Sequence, residues 1–306
     1  MSMESAVLAR YAQAAQVPDA GLCCAVDYPP RLLAAIPQEV IDRDYGCGDP
    51  SRHLKSGEAV LDLGSGAGKA CFIASQIVGP HGRVIGVDMS DDMLALARRN
   101  APQVARNIGY ANTGFRKGRI QDLALDLEAL DAALSGDPLL GLAGYLRAEE
   151  IAAQLRARQP MIGNDSVDVV VSNCVLNLVD PLAKRQVFGE LFRVLKPGGR
   201  AVISDIVCSQ EVPSELQQDA ELWSGCIAGA FREDEFLNAF TMAGFSPVRL
   251  LSRKEEPWRI VKDIEFRSVT VEAIKPPNAS LPIPATKSAL SIQETSASSG
   301  CCNGRC

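Results

Sequence analysis

Five cysteines stand where an inert core thiol has little purpose. Cys174 closes a valine-rich run, VVVSNCVLNLV at 169–179, at the corner where a strand gives way to a loop. Cys47 lies between glycines in DYGCGDP, Cys226 in the small-residue stretch WSGCIAGAF, and Cys23 and Cys24 side by side in LCCAVDYPP. Taken singly, each is more readily a small buried hydrophobe than a ligand. Taken together, they offer sulfur from separate loops, the donor set that a soft, thiophilic centre selects. A standard zinc site is poorly supported, because the ten cysteines include no CxxC pair and the chain has only two histidines.

Composition narrows the setting in which such thiols work. The 306 residues are 47% hydrophobic, enough for a sizeable core, and the net charge is −6. That balance argues against a general electrostatic grip on nucleic acid or anionic lipid. No run of eighteen apolar residues exists to span a membrane. MSMESAVLARYAQAAQ lacks the basic start and apolar block of an export signal and reads as an amphipathic helix. A cytoplasmic protein with mostly reduced cysteines is the expectation.

The elements that must position the thiols are an alternation of strand and helix. After helices and cysteine loops over residues 1–55, strands are expected at EAVLDLG, GRVIGVDM, GFRKGRIQD, VDVVVSN and GGRAVISDIV. Helices fall between them at KACFIASQIV, DDMLALARRNA and PLAKRQVFGELFRVL. That order predicts an α/β domain over 56–208 with a mostly parallel sheet covered on both faces. Residues 123–165 read as an insertion of two or three amphipathic helices packed on the sheet edge, with a lid or partner surface as the alternative. Helices over WSGCIAGAF and EDEFLNAFTMAG and strands at PVRLLSR and FRSVTVEAI fill 209–275. From residue 276 the composition turns to Pro, Ser, Thr and Ala, a flexible tail ending CCNGRC.

Between the first strand and its helix, VLDLGSGAG places Gly64, Gly66 and Gly68, with Asp62 just ahead. Glycines there bring backbone close to a ligand at a helix start. Asp88 follows Gly68 by twenty residues at the end of the second strand, where a carboxylate accepts from both ribose hydroxyls of an adenosine. Ile120 supplies an apolar face for adenine, with Asp122 or its backbone near the base edge. In an open α/β sheet the ligand lies beyond the carboxyl ends of the strands, so the Cys174 corner faces it. A Rossmann-like domain for another nucleotide is the competing reading.

The order DLGSGAG, VDM, GRIQD, VLKPGG resembles the class I S-adenosylmethionine-dependent methyltransferases over roughly 57–206. YGCG, SNC and WSGC around that core look like the arsenite methyltransferases, a resemblance over about residues 20–275. It implies a Rossmann-like, seven-stranded-type sheet with an N-terminal helical cap and a small C-terminal substrate-binding part. It implies S-adenosylmethionine held by Tyr45, Asp62, Gly64, Ser65, Gly66, Gly68, Asp88, Met89, Ile120 and Asn173. It further implies arsenic(III) bound by Cys47, Cys174 and Cys226, with Cys23 or Cys24 as a further catalytic thiol. Arsenic keeps a lone pair on sulfur ligands, so transfer needs position rather than a general base. Each methylation formally oxidises arsenic; Cys47 with a cysteine of the N-terminal loop is the candidate pair to return two electrons, regenerated by a thiol reductant of the glutathione or thioredoxin type. Cys71, Cys208 and Trp223 read as packing residues. The alternatives are a methyltransferase for a small organic nucleophile and a noncatalytic metalloid-binding protein.

Overall fold

The computed structural model describes residues 3–22, 26–43, 45–136 and 140–279. The chain begins with helix α1 (Met3–Gln16) and two single turns, α2 (Pro30–Leu33) and α3 (Gln38–Ile41). The core follows as β1 (Ala59–Leu63), α4 (Lys69–Val78), β2 (Arg83–Asp88), α5 (Asp91–Ile108) and β3 (Thr113–Lys117). The insertion is the pair α6 (Leu127–Leu134) and α7 (Gly141–Arg158), and the sheet resumes with β4 (Val167–Asn173), α8 (Lys184–Val194) and β5 (Leu195–Cys208). The C-terminal part holds α9 (Ser214–Gln217), α10 (Ala220–Ser224), β6 (Phe231–Arg232), α11 (Glu233–Met242), β7 (Val248–Arg253), β8 (Arg259–Val261) and β9 (Ile264–Ile274).

The sheet runs β3-β2-β1-β4-β5-β9-β7, with β6 and β8 as short additions at its side. The first five strands are parallel, while β9 lies antiparallel to both β5 and β7. Every residue of β1 is buried, as a strand covered on both faces requires. One face packs Phe72, Met93 and Leu94 from α4 and α5; the other packs Phe188, Leu191, Phe236 and Phe240 from α8 and α11. The expected mostly parallel, seven-strand path is what forms. α5 begins on Ser90, whose hydroxyl accepts from the Met93 amide, and ends at Gly109 in the left-handed region (φ 88°).

Several local expectations give way. WSGCIAGAF does not continue as helix, because Gly225 caps α10 and Cys226 turns left-handed. β3 stops at Lys117, and Arg119 to Asp122 form a tight turn with a single bridge, so Ile120 sits in a loop beyond the strand. The insertion is helical, but within α7 only Ala152 is buried. Leu142, Tyr145 and Leu146 stay exposed, so this helix is not packed down on the sheet edge. No described helix is long and apolar enough to cross a membrane.

Candidate active site

The carboxyl ends of β1, β2 and β4 open into one cavity of about 1130 Å³, its mouth included, with α1 forming part of the wall through Glu4, Val7, Leu8 and Tyr11. Of the residues expected at the cofactor, Tyr45, Asp62, Gly64, Ser65, Gly66, Asp88, Met89, Ile120 and Asn173 all line it. Gly68 does not. It caps α4 at φ 90°, and a Cβ there would press on Phe115 and Phe72, so this glycine serves helix packing. Asp122 is drawn away by Arg156 (2.8 Å), and Gln121 lines the cavity in its place.

The glycine loop is held to β2 by the carboxyl of Asp88. One oxygen accepts from Gly66 N–H (2.8 Å) and the other from Ser90 N–H (2.9 Å). Gly64 has φ 67°, and a Cβ on it would strike Val175, the residue after Cys174, so the first glycine and the thiol corner are in direct register. Behind the loop, the Cys71 thiol donates to Asp62 (3.2 Å). Cys71 therefore has a polar contact beyond the packing expected of it. Burial pushes the Asp62 carboxyl up to about 7, the Cys71 bond pulls it down, and nearby Asp88 adds to the rise. Burial also raises Asp88, against the pull of its backbone donors. The Ser65 hydroxyl is buried without a partner in the same wall.

The thiol corner is built from β4, β5, β9 and the YGCG loop. Asn173, the last residue of β4, reaches over that loop. Its Oδ1 accepts from Cys47 N–H (2.8 Å) and Gly48 N–H (3.0 Å), and its Nδ2 donates to Gly48 O (2.7 Å). Ser268 of β9 donates to Cys47 O (2.7 Å). A Cβ on Gly46 would run into Asn173, and one on Gly48 into Ser204. These glycines are there for close approach, and Cys47 between them is only 3% exposed. Cys174 N–H donates to Ser204 O (2.8 Å) on the neighbouring strand.

Cys47 and Cys174 are joined as a disulfide, with Cα atoms 5.9 Å apart. Against an expectation of mostly reduced cysteines this one pair is oxidised, and Asn173 at the end of β4 clamps the Cys47 loop beside Cys174, within bonding reach. It also gives Cys47 a partner other than the N-terminal loop; Cys23 and Cys24 lie outside the described residues, as do the three cysteines of the terminal CCNGRC. Cys226 completes the group as a buried thiol outside the disulfide, donating to Cys174 O at 3.1 Å. All three sulfurs belong to one apolar cluster with Ile206, Cys208, Ile227 and Phe266. Cys174 alone of the three also lines the cavity. Among the described residues no group of His, Cys, Asp or Glu stands open to a metal ion.

Cys174 and Cys226 both have left-handed backbone, φ 61° and 62°. Such a conformation costs a non-glycine residue roughly 1–2 kcal/mol. The support beneath them was not legible as a motif. Asp205 is fully buried and accepts from Leu176 N–H (2.9 Å), Ile206 N–H (2.8 Å) and Asn177 Nδ2 (2.9 Å). Asn177 also donates to Ile206 O. Burial pushes Asp205 up to about 6. Lys184 donates to Gly229 O and sits 4.4 Å over the Phe231 ring, and burial brings its ammonium down to about 8. Trp223 is a core residue whose indole N–H donates to Leu178 O (3.1 Å). Cys208 is buried, and burial pushes its thiol up to about 11.

A family model described as a methyltransferase domain matches residues 54–244. The chain is 37% identical to an arsenite methyltransferase of Halobacterium salinarum over 77% of its own length and 51% of the relative's. It is 36% identical to one from Aquipseudomonas alcaligenes over 83% of this chain and 66% of that one. The chain thus spans about half to two thirds of these curated relatives. Among solved structures, the arsenic(III) S-adenosylmethionine methyltransferase of Chlamydomonas reinhardtii superposes with TM-score 0.64 at 30% identity, covering 83% of this chain and 76% of that one. With the glycine loop, the Asp88 strand end and the cysteine corner in one fold, the chain belongs to the arsenite methyltransferase family, on the class I methyltransferase scaffold.

Proposed function

We propose that this protein transfers a methyl group from S-adenosylmethionine to trivalent arsenic held by the thiolates of Cys47, Cys174 and Cys226. The observation that carries the reading is the convergence of those cysteines, from three distant segments, in one cluster whose member Cys174 lines the cavity together with Asp62 and Asp88. The cavity suits the cofactor: the carboxyl groups of buried Asp62 and half-buried Asp88 favour a cationic ligand, and glycine backbone with the unpartnered Ser65 hydroxyl favours a polar one. When bound, S-adenosylmethionine supplies an electrophilic methyl on a sulfonium.

The chain's own residues supply position. Asp88 presents the acceptors suited to a ribose, Ile120 offers an apolar surface to a base, and Asp62 faces positive charge. Cys174 places its sulfur at the boundary between the cavity and the thiol cluster, and a lone pair on bound arsenic needs no proton removed. Holding the partners in line contributes up to about 7–11 kcal/mol toward the barrier.

The Cys47–Cys174 disulfide fits the second half of a cycle. Methyl transfer formally takes arsenic from +3 to +5; two thiolates that join as a disulfide return two electrons to it. A cellular dithiol or glutathione-type reductant then opens the disulfide by exchange, one new disulfide forming on the reductant. A cytoplasmic site of action and a role in arsenic detoxification follow from this reading. The test is to incubate reduced protein with arsenite, S-adenosylmethionine and a thiol, then separate arsenic species by mass. Methylated arsenic that disappears in both Cys174→Ser and Cys226→Ser is expected. Methylation of an organic acceptor with undiminished rates in those variants would overturn the proposal.

A further inference from the structure

The first core helix brings a thiol against the cavity wall from behind. Cys71, the third residue of α4, is fully buried, and its Sγ donates to Asp62 Oδ2 at 3.2 Å. The neighbouring strand makes room for this contact. Gly86 of β2 pairs with Asp62 in the sheet register, and a Cβ on Gly86 would stand 2.7 Å from Ser65 Oγ and 2.8 Å from Cys71 Sγ. Glycine there admits both side chains. The glycine loop, the thiol and the carboxyl thus pack as one unit, of which Asp62 and Ser65 line the cavity and Cys71 does not. Burial and the adjacent Asp62 carboxyl push the Cys71 thiol well up, so it stays a protonated donor through the neutral range.

We infer that Cys71 is a positioning residue for cofactor binding, its thiol fixing the Asp62 carboxyl in the wall of the cofactor cavity. The inference rests on the cofactor part of the proposed function. A donor to a carboxylate favours the charged form, so the thiol works against the burial that favours neutral Asp62. The charged form is the one that attracts a cationic ligand. Other charged groups at the same cavity, among the described residues, are Asp88 from β2, Lys69 from α4, Glu4 from α1, and Arg43 and Asp180 from loops, with the Tyr11 and Tyr45 phenols beside them. All are retained in every variant below, so a difference between variants reports on the Cys71–Asp62 pair.

The experiment titrates S-adenosylmethionine calorimetrically, between about pH 6 and 9, into reduced full-length wild type, Cys71→Ser, Cys71→Ala, Asp62→Asn and Cys71→Ala with Asp62→Asn. Wild-type affinity should rise through the Asp62 titration at about 7. Cys71→Ala removes the donor and should move that midpoint up by about one pH unit, the order of a single hydrogen bond to a charged group. Affinity near pH 7 then falls about fivefold, while near pH 9 the two proteins converge. Cys71→Val, a second donor-free variant, should match it. Cys71→Ser keeps a donor in place and should stay within about twofold of wild type throughout. In the Asp62→Asn background Cys71→Ala should have no pH-dependent effect. A loss equal at neutral and alkaline pH, or one that Cys71→Ser shares, belongs to a loosened helix and would overturn the assignment. The same displacement is read without ligand: the fall in stability with rising pH, which in wild type levels off near 7, should continue about one unit further in Cys71→Ala. An unmoved end point overturns the assignment. A moved one, in protein that binds no S-adenosylmethionine at any pH, refutes the cofactor reading and leaves the action of Cys71 on Asp62 standing.

Discussion

Replacing Asn173 by alanine tests the clamp on which the thiol corner depends. The side chain makes three hydrogen bonds to the YGCG loop, to Cys47 N–H, Gly48 N–H and Gly48 O, all between 2.7 and 3.0 Å. Each such bond is worth about 0.5–1.5 kcal/mol net, and its loss costs more where the abandoned group stays buried. Cys47 is almost fully buried, so part of that surcharge applies. Asn173→Ala should therefore destabilise the protein by about 3 kcal/mol, read from urea unfolding of reduced samples. Asn173→Asp keeps an acceptor for both amides and loses the donor to Gly48 O, so its penalty should be smaller, about 1–2 kcal/mol, part of it from placing a charge there. The same loosening should appear in a thiol–disulfide buffer, where the ratio of Cys47–Cys174 disulfide to dithiol at fixed poise falls about tenfold for a loss of ~1.4 kcal/mol of preorganisation. Destabilisation under about 1 kcal/mol together with an unchanged disulfide equilibrium would refute the argument that this amide brings the two cysteines together.

Three further outcomes follow from the site. Asp62 has a folded-state pKa of about 7 against an ordinary 3.8, so its neutral form favours the ligand-free fold at low pH. That contribution is complete below about pH 4 and lost as pH rises to 7, while affinity for the cationic cofactor should climb across the same window. Asp62→Asn should flatten both trends in calorimetric titrations. Gly64→Ala meets Val175 and forces a side chain onto a φ of 67°, so cofactor affinity should fall by at least tenfold, roughly the 1–2 kcal/mol of left-handed strain, with the clash in addition. Asp205→Ala strips the acceptor from two backbone amides and Asn177 in a fully buried position, so a loss of about 3–5 kcal/mol is expected in thermal unfolding; a loss under 1 kcal/mol would contradict the assigned support.

What the sequence made legible was whatever local chemistry dictates. The glycine loop is readable because Gly64 and Gly66 take left-handed backbone (φ 67° and 50°), and Asp88 because it ends a strand at a fixed interval after them. Residues whose role is set by a distant side chain are not readable in this way. Asn173 was expected to face the cofactor, and it does line the cavity, yet its amide is spent on a loop far away in sequence. The disulfide partner of Cys47 follows from that clamp rather than from spacing. WSGCIAGAF has helical composition, and only the packing of Gly229 against the Asn177 carbonyl and the left-handed turn at Cys226 take it out of the helix. Asp205 carries a signal of its own, a carboxylate within the apolar run AVISDIV.

The account stands or falls on sulfur from all three segments meeting at one arsenic atom. X-ray absorption at the arsenic edge, on reduced protein loaded with one equivalent of arsenite, counts those ligands directly. An all-sulfur shell that loses a sulfur in each of Cys47→Ser, Cys174→Ser and Cys226→Ser is the predicted result. A shell of oxygen, or one of sulfur that none of the three substitutions alters, would contradict it.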